Sequence, residues 1–134
     1  MPHRSDISPA DFPRLLPSIS LLELDLENRL KVRLAGTRLR DIHDREVTGL
    51  YLDDFDFEGR DAYWHAAYAR VIETGKPAQG AVRAPRLSKD HLVQFWLRLP
   101  LAAACGRPRM ILCHDEIISV SEIPGELNQK IEAA

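Results

Sequence analysis

The sequence predicts an α+β domain in which a single antiparallel sheet carries helices across one face. Three observations point there. Two apolar, alternating segments precede a helical block, three more follow it, and the block ends in one long helix whose apolar residues recur at helical spacing. The connections between the last three segments are short, which favours antiparallel neighbours.

Each element has its own signature. Asp11 followed by Phe12-Pro13-Arg14-Leu15-Leu16 is an acid before a proline-bearing first turn, the start of a short helix that Pro17 stops. Ile19 to Leu26 is rich in Leu and Ile, Glu27-Asn28-Arg29 supplies a turn, and Leu30 to Ala35 begins with alternating apolar and basic residues. Thr37 caps a short helical stretch from Arg38 to about His43. Residues 44–55 read as loop with one irregular helical turn. From about Gly59 to Thr74, Trp64, Ala67, Tyr68, Val71 and Ile72 form the stripe of a helix packed on one side, with Asp61 at its positive end and Gly75 and Pro77 after it. Ala78 to Arg86, His91 to Leu101 and Arg109 to about Val120 read as three strands of a meander. The organisation is an N-terminal helical segment (1–17), a sheet-and-helix domain (18–120), and a C-terminal tail or short helix (121–134) in which Leu127 and Ile131 are spaced for one helical face.

Composition narrows the function. The chain has 134 residues, 45% hydrophobic and 28% charged, enough for one domain with a real core. Eighteen Lys+Arg against twenty Asp+Glu give a net charge of −2, which speaks against neutralisation of many phosphates and so against nucleic acid as principal partner. No stretch approaches the roughly 20 apolar residues of a membrane helix. Two cysteines, neither in a CxxC pair, suit a reducing compartment, so the expected location is cytoplasmic. Ala102-Ala103-Ala104-Cys105 looks like a lipoprotein box but lies far from the N-terminus, where such signals act.

Four short motifs carry a family resemblance. Pro9-Ala10-Asp11-Phe12-Pro13-Arg14-Leu15-Leu16-Pro17, Val32-Arg33-Leu34-Ala35-Gly36-Thr37, Arg45-Glu46-Val47-Thr48-Gly49 and Thr74-Gly75-Lys76-Pro77 follow one another as in a family of short, stand-alone bacterial PAS-like domains. The resemblance covers roughly residues 3 to 118. It implies the PAS fold, a five-stranded antiparallel sheet with helices crossing one face, and a sensory or protein-interaction role in signalling, with no catalytic activity.

Several chemical motifs compete with that reading. Asp54-Phe55-Asp56-Phe57-Glu58-Gly59 begins like a calcium loop, but its twelfth position is His65 rather than glutamate. Cys113-His114-Asp115-Glu116 strings together four metal-binding side chains. On a strand, however, Cys113 and Asp115 point away from His114 and Glu116, so the four cannot close one site. His65 lies on the flank of the helical stripe, where haem ligation is weakly supported. The flavin-binding PAS class needs a cysteine on the helices before the long helix, and none is there. No cofactor and no metal is expected. Arg33, Arg38, Arg40 and Arg45 are interleaved with acids and read as a solvated, mixed-charge face.

Strand alternation then assigns the working residues. Val93, Phe95, Leu97, Leu99 and Leu101 share one face, which is given to the core; Leu92, Gln94, Trp96 and Arg98 share the other. A small apolar ligand between the long helix and the sheet would accordingly meet Trp64, Tyr68 and Ile72 from the helix and Phe95, Leu97 and Leu99 from the strand. Ile19, Leu21 and Trp96 fall on the outer face, and with Phe12, Leu15 and Leu16 they form the expected interface of a homodimer; the further partner is an unidentified signalling protein. The rival reading is a small cone-shaped enzyme of dehydratase or isomerase type, holding an ionisable pair such as Asp115 and His65 in its cavity.

Overall fold

The structure is a computed structural model that describes residues 2–3, 14, 16–102 and 108–133. The predicted helix from Asp11, and with it Phe12 and Leu15, lies outside the described residues. A 3-10 turn at Leu16–Ser18 leads into β1 (Ile19–Leu24), which returns through a tight turn as β2 (Leu30–Leu34). In that turn the Asp25 carboxylate accepts hydrogen bonds from the backbone N–H groups of Glu27 and Arg29, which fixes the reversal and leaves Leu26 96% exposed, not inward as alternation would have it.

The helical block is α1 (Thr37–His43), a 3-10 turn at Leu52–Asp54, and α2 (Asp61–Thr74). Thr37 is the first residue of α1 rather than its cap; Gly36 holds that position with no side-chain bond. Then come β3 (Ala78–Arg83), β4 (Leu92–Ala102) and β5 (Pro108–Ser119). A last helix, α3 (Gly125–Lys130), runs into β6 (Glu132–Ala133).

The sheet order is β2-β1-β5-β4-β3-β6, with the first five strands antiparallel to their neighbours and β6 parallel to β3 at Val82 and Arg83. The expected five-stranded antiparallel sheet is therefore present, and β6, which the sequence does not announce, extends it by two residues. Helix α2 lies across one face. Trp64, Ala67, Tyr68 and Val71 from α2 join Leu22, Leu24, Val32, Ile111 and Cys113 from the sheet in the main core. On the opposite face Ile19, Leu21, Leu101 and Leu112 form a second cluster, and Ile123 and Ile131, which flank α3, pack with Val93 as a third. No helix among the described residues is long and apolar enough to cross a membrane.

Gly36 shows why one sequence motif is worded as it is. A Cβ there would lie 2.6 Å from the carbonyl oxygens of both Ile19 and Pro17, and the Gly36 N–H donates to the buried Ser20 hydroxyl at 3.0 Å. Rigid backbone on that side leaves no room for a methyl group. We expect Gly36→Ala to lower stability by about 2–3 kcal/mol in urea unfolding, with the m-value unchanged.

Candidate functional site

The space between α2 and the sheet contains a buried polar cluster. Arg98 on β4 and Asp115 on β5 are each 1% exposed and form an ion pair at 3.0 Å. Gln94 donates to the same Asp115 oxygen at 2.7 Å, and the Arg98 guanidinium also donates to the Tyr68 hydroxyl at 3.2 Å and to the Leu97 carbonyl at 3.0 Å. Three rings surround the cation, with its central carbon 5.3 Å from the centre of Tyr68 and 5.8 Å from those of Trp64 and Trp96. Burial is the largest single influence on this guanidinium and disfavours its charge, but the net shift is upward, led by the Asp115 carboxylate beside it, and the pKa lies well above the ordinary arginine value. Burial pushes the Cys113 thiol up to about 12 and the Tyr68 hydroxyl higher still, so both are neutral here.

This arrangement reverses the face assignment of β4. Gln94, Trp96 and Arg98 face α2, and Phe95, Leu97 and Leu99 lie on the outer face. Trp96 is 5% exposed in the main core, its indole N–H donating to the Tyr63 hydroxyl at 2.9 Å. Gly80 on β3 makes that possible, because a Cβ there would sit 2.7 Å from the indole. The ligand set read from the sequence is thus split: Trp64, Tyr68 and Ile72 are in the interior, and Phe95, Leu97 and Leu99 are on the other side of the sheet. Of the interface set, Ile19 and Leu21 do lie on the outer face, buried within one chain, Leu16 is 39% exposed, and Trp96 is not there at all.

The physical reason is that the outer face of β4 is covered towards both ends of the strand, at Val93 and at Leu101, and only half-buried between them. Val93 and Phe95 pack outward with Ile123 and Ile131, and Leu99 and Leu101 with Ile19, Leu21 and Leu112, while the mixed set can turn inward because Asp115 neutralises Arg98. An unpaired Arg98 in that position would be prohibitive. A signal was available, since Arg98 and Asp115 are opposite charges on strands predicted to be neighbours, Arg98 between Leu97 and Leu99 and Asp115 on the same strand face as Cys113 and Ile117.

The alternation expected of β5 is present. On β5, Cys113 and Asp115 face the core while His114 and Glu116 face out, and no group of three or more potential metal ligands occurs among the described residues. His65 is exposed, its ring edge-on to Phe57. Asp56 accepts from the Glu58 N–H, forming a turn, and Glu58 pairs with Arg86 and Ser88. Arg33, Arg38 and Arg40 are paired with Glu23, Asp41 and Glu46.

The interior is nearly solid. The gap lined by Leu39, His43, Phe55, Phe57, Trp64, Tyr68, Gln94 and Arg98 has a volume of about 10 Å³, the scale of one water molecule. On the outer face, an open concavity of about 570 Å³ is floored by Phe95, Leu97 and Ala81 and rimmed by Gln79, His114 and Glu116. The rival enzyme reading required a desolvated acid in the interior. Asp115 is one, but Arg98 and Gln94 hold it where no substrate has room.

A sheet of this order crossed by helices on one face defines a PAS-fold domain. A family model described as a PAS domain matches residues 1–114, and the chain belongs to that family. Solved structures agree on the fold. A LOV protein from Rhodobacter sphaeroides shares 13% identity with a TM-score of 0.59, over 92% of this chain and 74% of its own. A sensory box sensor histidine kinase from Vibrio cholerae shares 9% at 0.56, over 87% and 91%. The light-state LOV domain of the blue-light photoreceptor Aureochrome1 shares 9% at 0.58, over 93% and 94%. No curated protein matches the chain. The protein is a sensory or interaction module of the PAS type. The segment before α2 has no cysteine with which a flavin could form a covalent adduct, and Arg98 with its rings occupies the space between α2 and the sheet.

Two predictions follow from the interior. Asp115→Ala strands a buried guanidinium and should cost about 3–5 kcal/mol in urea unfolding, whereas Arg98→Met with Asp115→Leu should recover most of that loss. His43, on α1, is buried against Phe55 and Phe57, and burial, aided by the Arg86 charge, lowers its pKa to about 4. Above pH 6.5 the imidazole is neutral in both folded and unfolded chains. As pH falls from about 6.5 to about 4 only the unfolded chain takes up the proton, so about 3 kcal/mol of stability is lost in that window. The carboxyls of Asp44, Glu46 and Glu58 are held below their ordinary range by hydrogen bonds from Lys89, Thr48 and Ser88, so their loss comes at lower pH. His43→Phe should flatten the pH 6.5–4 limb of the stability profile.

Proposed function

We propose that the protein is a PAS interaction module that works through its outer sheet face, assembling as a homodimer and relaying signals to a protein partner. The observation that carries this reading is the contrast between the gap of about 10 Å³ beside Arg98, with another of about 20 Å³ beside His43, and an outer concavity of about 570 Å³ with an apolar floor. A module whose inside is occupied by its own ion pair has its binding capacity on the surface. Phe95 and Leu97, half-buried on the floor of that concavity, supply the contact, while Ile19 and Leu21 on the same face are already covered within the chain. Trp64, Tyr68 and Ile72 belong to the solid core in this reading, and a small apolar ligand there would first have to displace the rings around Arg98. The module acts in the cytoplasm, where the free, buried Cys113 thiol is at home.

The test is sedimentation at micromolar concentration. The wild type should sediment as a dimer, and Leu97→Lys, which sets like charges against each other across a two-fold contact, should give a folded monomer. A wild type that remains monomeric across that range overturns the dimer.

A further inference from the structure

The two edges of the sheet are finished differently. At the β2 edge, the Val32 N–H donates to Leu50 O at 2.9 Å, the Gly49 N–H donates to Val32 O at 2.8 Å, and Lys31 bridges Tyr51. Arg29, Lys31 and Arg33 add charge along it, the usual guard against strand addition. At the other edge, β6 pairs with β3 only at Val82 and Arg83. Ala78 is buried, but Gln79 to Ala81 have no backbone partner on that side among the described residues, so alternate N–H and C=O groups of these three residues point outward.

We propose that this open half of β3 receives an extended peptide from a protein partner as an added strand, parallel to β3, with an acidic residue followed two positions later by an apolar one. The occupant is read from what flanks the edge. A groove of about 510 Å³ runs along it on the helix side, between α2 and β3, and is lined by Tyr63, Ala66, Arg70, Gly80 and Trp96 among others. Among the described residues Arg70 is the one charged side chain lining that groove, and it is exposed. Ala66 and Arg70 are one helical turn apart, about 6 Å, which matches the ~6.7 Å between residues i and i+2 of a strand. Side chains of one strand face therefore fall in step with the groove.

The chain itself supplies the direction. β6 already adds to the same edge in parallel, and a strand over Gln79 to Ala81 continues that pairing backwards. Only a three-residue connection separates α2 from β3, so the two run in opposite senses and Ala78 lies towards the Arg70 end of α2. A parallel strand meets Arg70 first and the Ala66 end next, which places the acid before the apolar residue. Backbone pairing supplies affinity and the groove supplies selectivity. The proposal deepens the interaction reading, yet it uses the sheet edge rather than the outer face on which the dimer rests.

The experiment uses the full chain and a capped heptapeptide, Ser-Thr-Glu-Thr-Leu-Thr-Ser. Amide hydrogen exchange read by NMR should show fast exchange at the outward amides of Gln79 to Ala81 in the free protein and protection on adding peptide. The same peptide N-methylated at alternate backbone nitrogens should not protect them. Arg70→Glu should weaken binding about threefold to fivefold, and Arg70→Lys should not. Absence of protection at millimolar peptide, equal binding of the N-methylated peptide, or indifference to Arg70→Glu overturns the proposal. Protection that grows with protein concentration alone also overturns it, assigning the edge to a second copy. Sedimentation of Leu97→Lys reads the outer-face dimer independently, so failure of one leaves the other standing.

Discussion

The ion pair between Arg98 and Asp115 is the constraint on which the rest of the structure depends. Two charges removed from water are tolerable only if they are close, hydrogen-bonded and screened from competing polar groups. The pair sits diagonally across the β4–β5 ladder, where Arg98 is opposite Cys113 and Trp96 is opposite Asp115, so it also ties those strands in register. Its shielding comes from the rings of Trp64, Tyr68 and Trp96, which in turn fix how α2 lies on the sheet and why β3 carries glycine beneath the Trp96 indole. A one-residue slip between β4 and β5 would send one charge to the opposite face and leave its partner alone in the core.

A domain organised in this way differs from one built around a vacant pocket. The place where a ligand could sit is taken by side chains that the fold itself needs, and emptying it would release a charge into an apolar space. Sensitivity to the surroundings has to enter elsewhere. The outer face offers an apolar floor with a polar rim, and the sheet edge offers unpaired backbone; both are reachable without disturbing the pair.

Much of the fold was legible because its signals are local. The stripe Trp64, Ala67, Tyr68 and Val71 is a helix whatever surrounds it, and Asp25 with Asn28 makes the β1–β2 turn from short-range hydrogen bonds. The site was legible only in part. Alternation in β4 separates its two faces correctly but does not say which one is inside, because it assumes that a strand has only one covered face. Here Ile123 and Ile131, inside a stretch that reads as a tail or short helix, cover the Val93 end of the other face. Propensity rules also treat Arg98 and Asp115 as separate liabilities, when it is their pairing across two strands that makes the interior possible. β6 was invisible for a simpler reason: two residues carry no period.

The position of β1 governs how the molecule comes together in time. β1 pairs on one side with β2, its near neighbour in the chain, and on the other with β5, where Ile19 meets His114. The hairpin of β1 and β2 is made first during synthesis, with Leu22 and Val32 bearing apolar surface and one edge unsatisfied, and it has nothing to join until nearly the whole domain has emerged. The meander of β3, β4 and β5 closes over short loops and needs no such wait. Assembly therefore has a slow, late step, the capture of an early hairpin by a late strand across a long loop, and the chain is most vulnerable to wrong partners just before it. The covered outer edge of β2 makes biological sense in this light: of the two edges that the waiting hairpin presents, only the one facing β5 has to stay open.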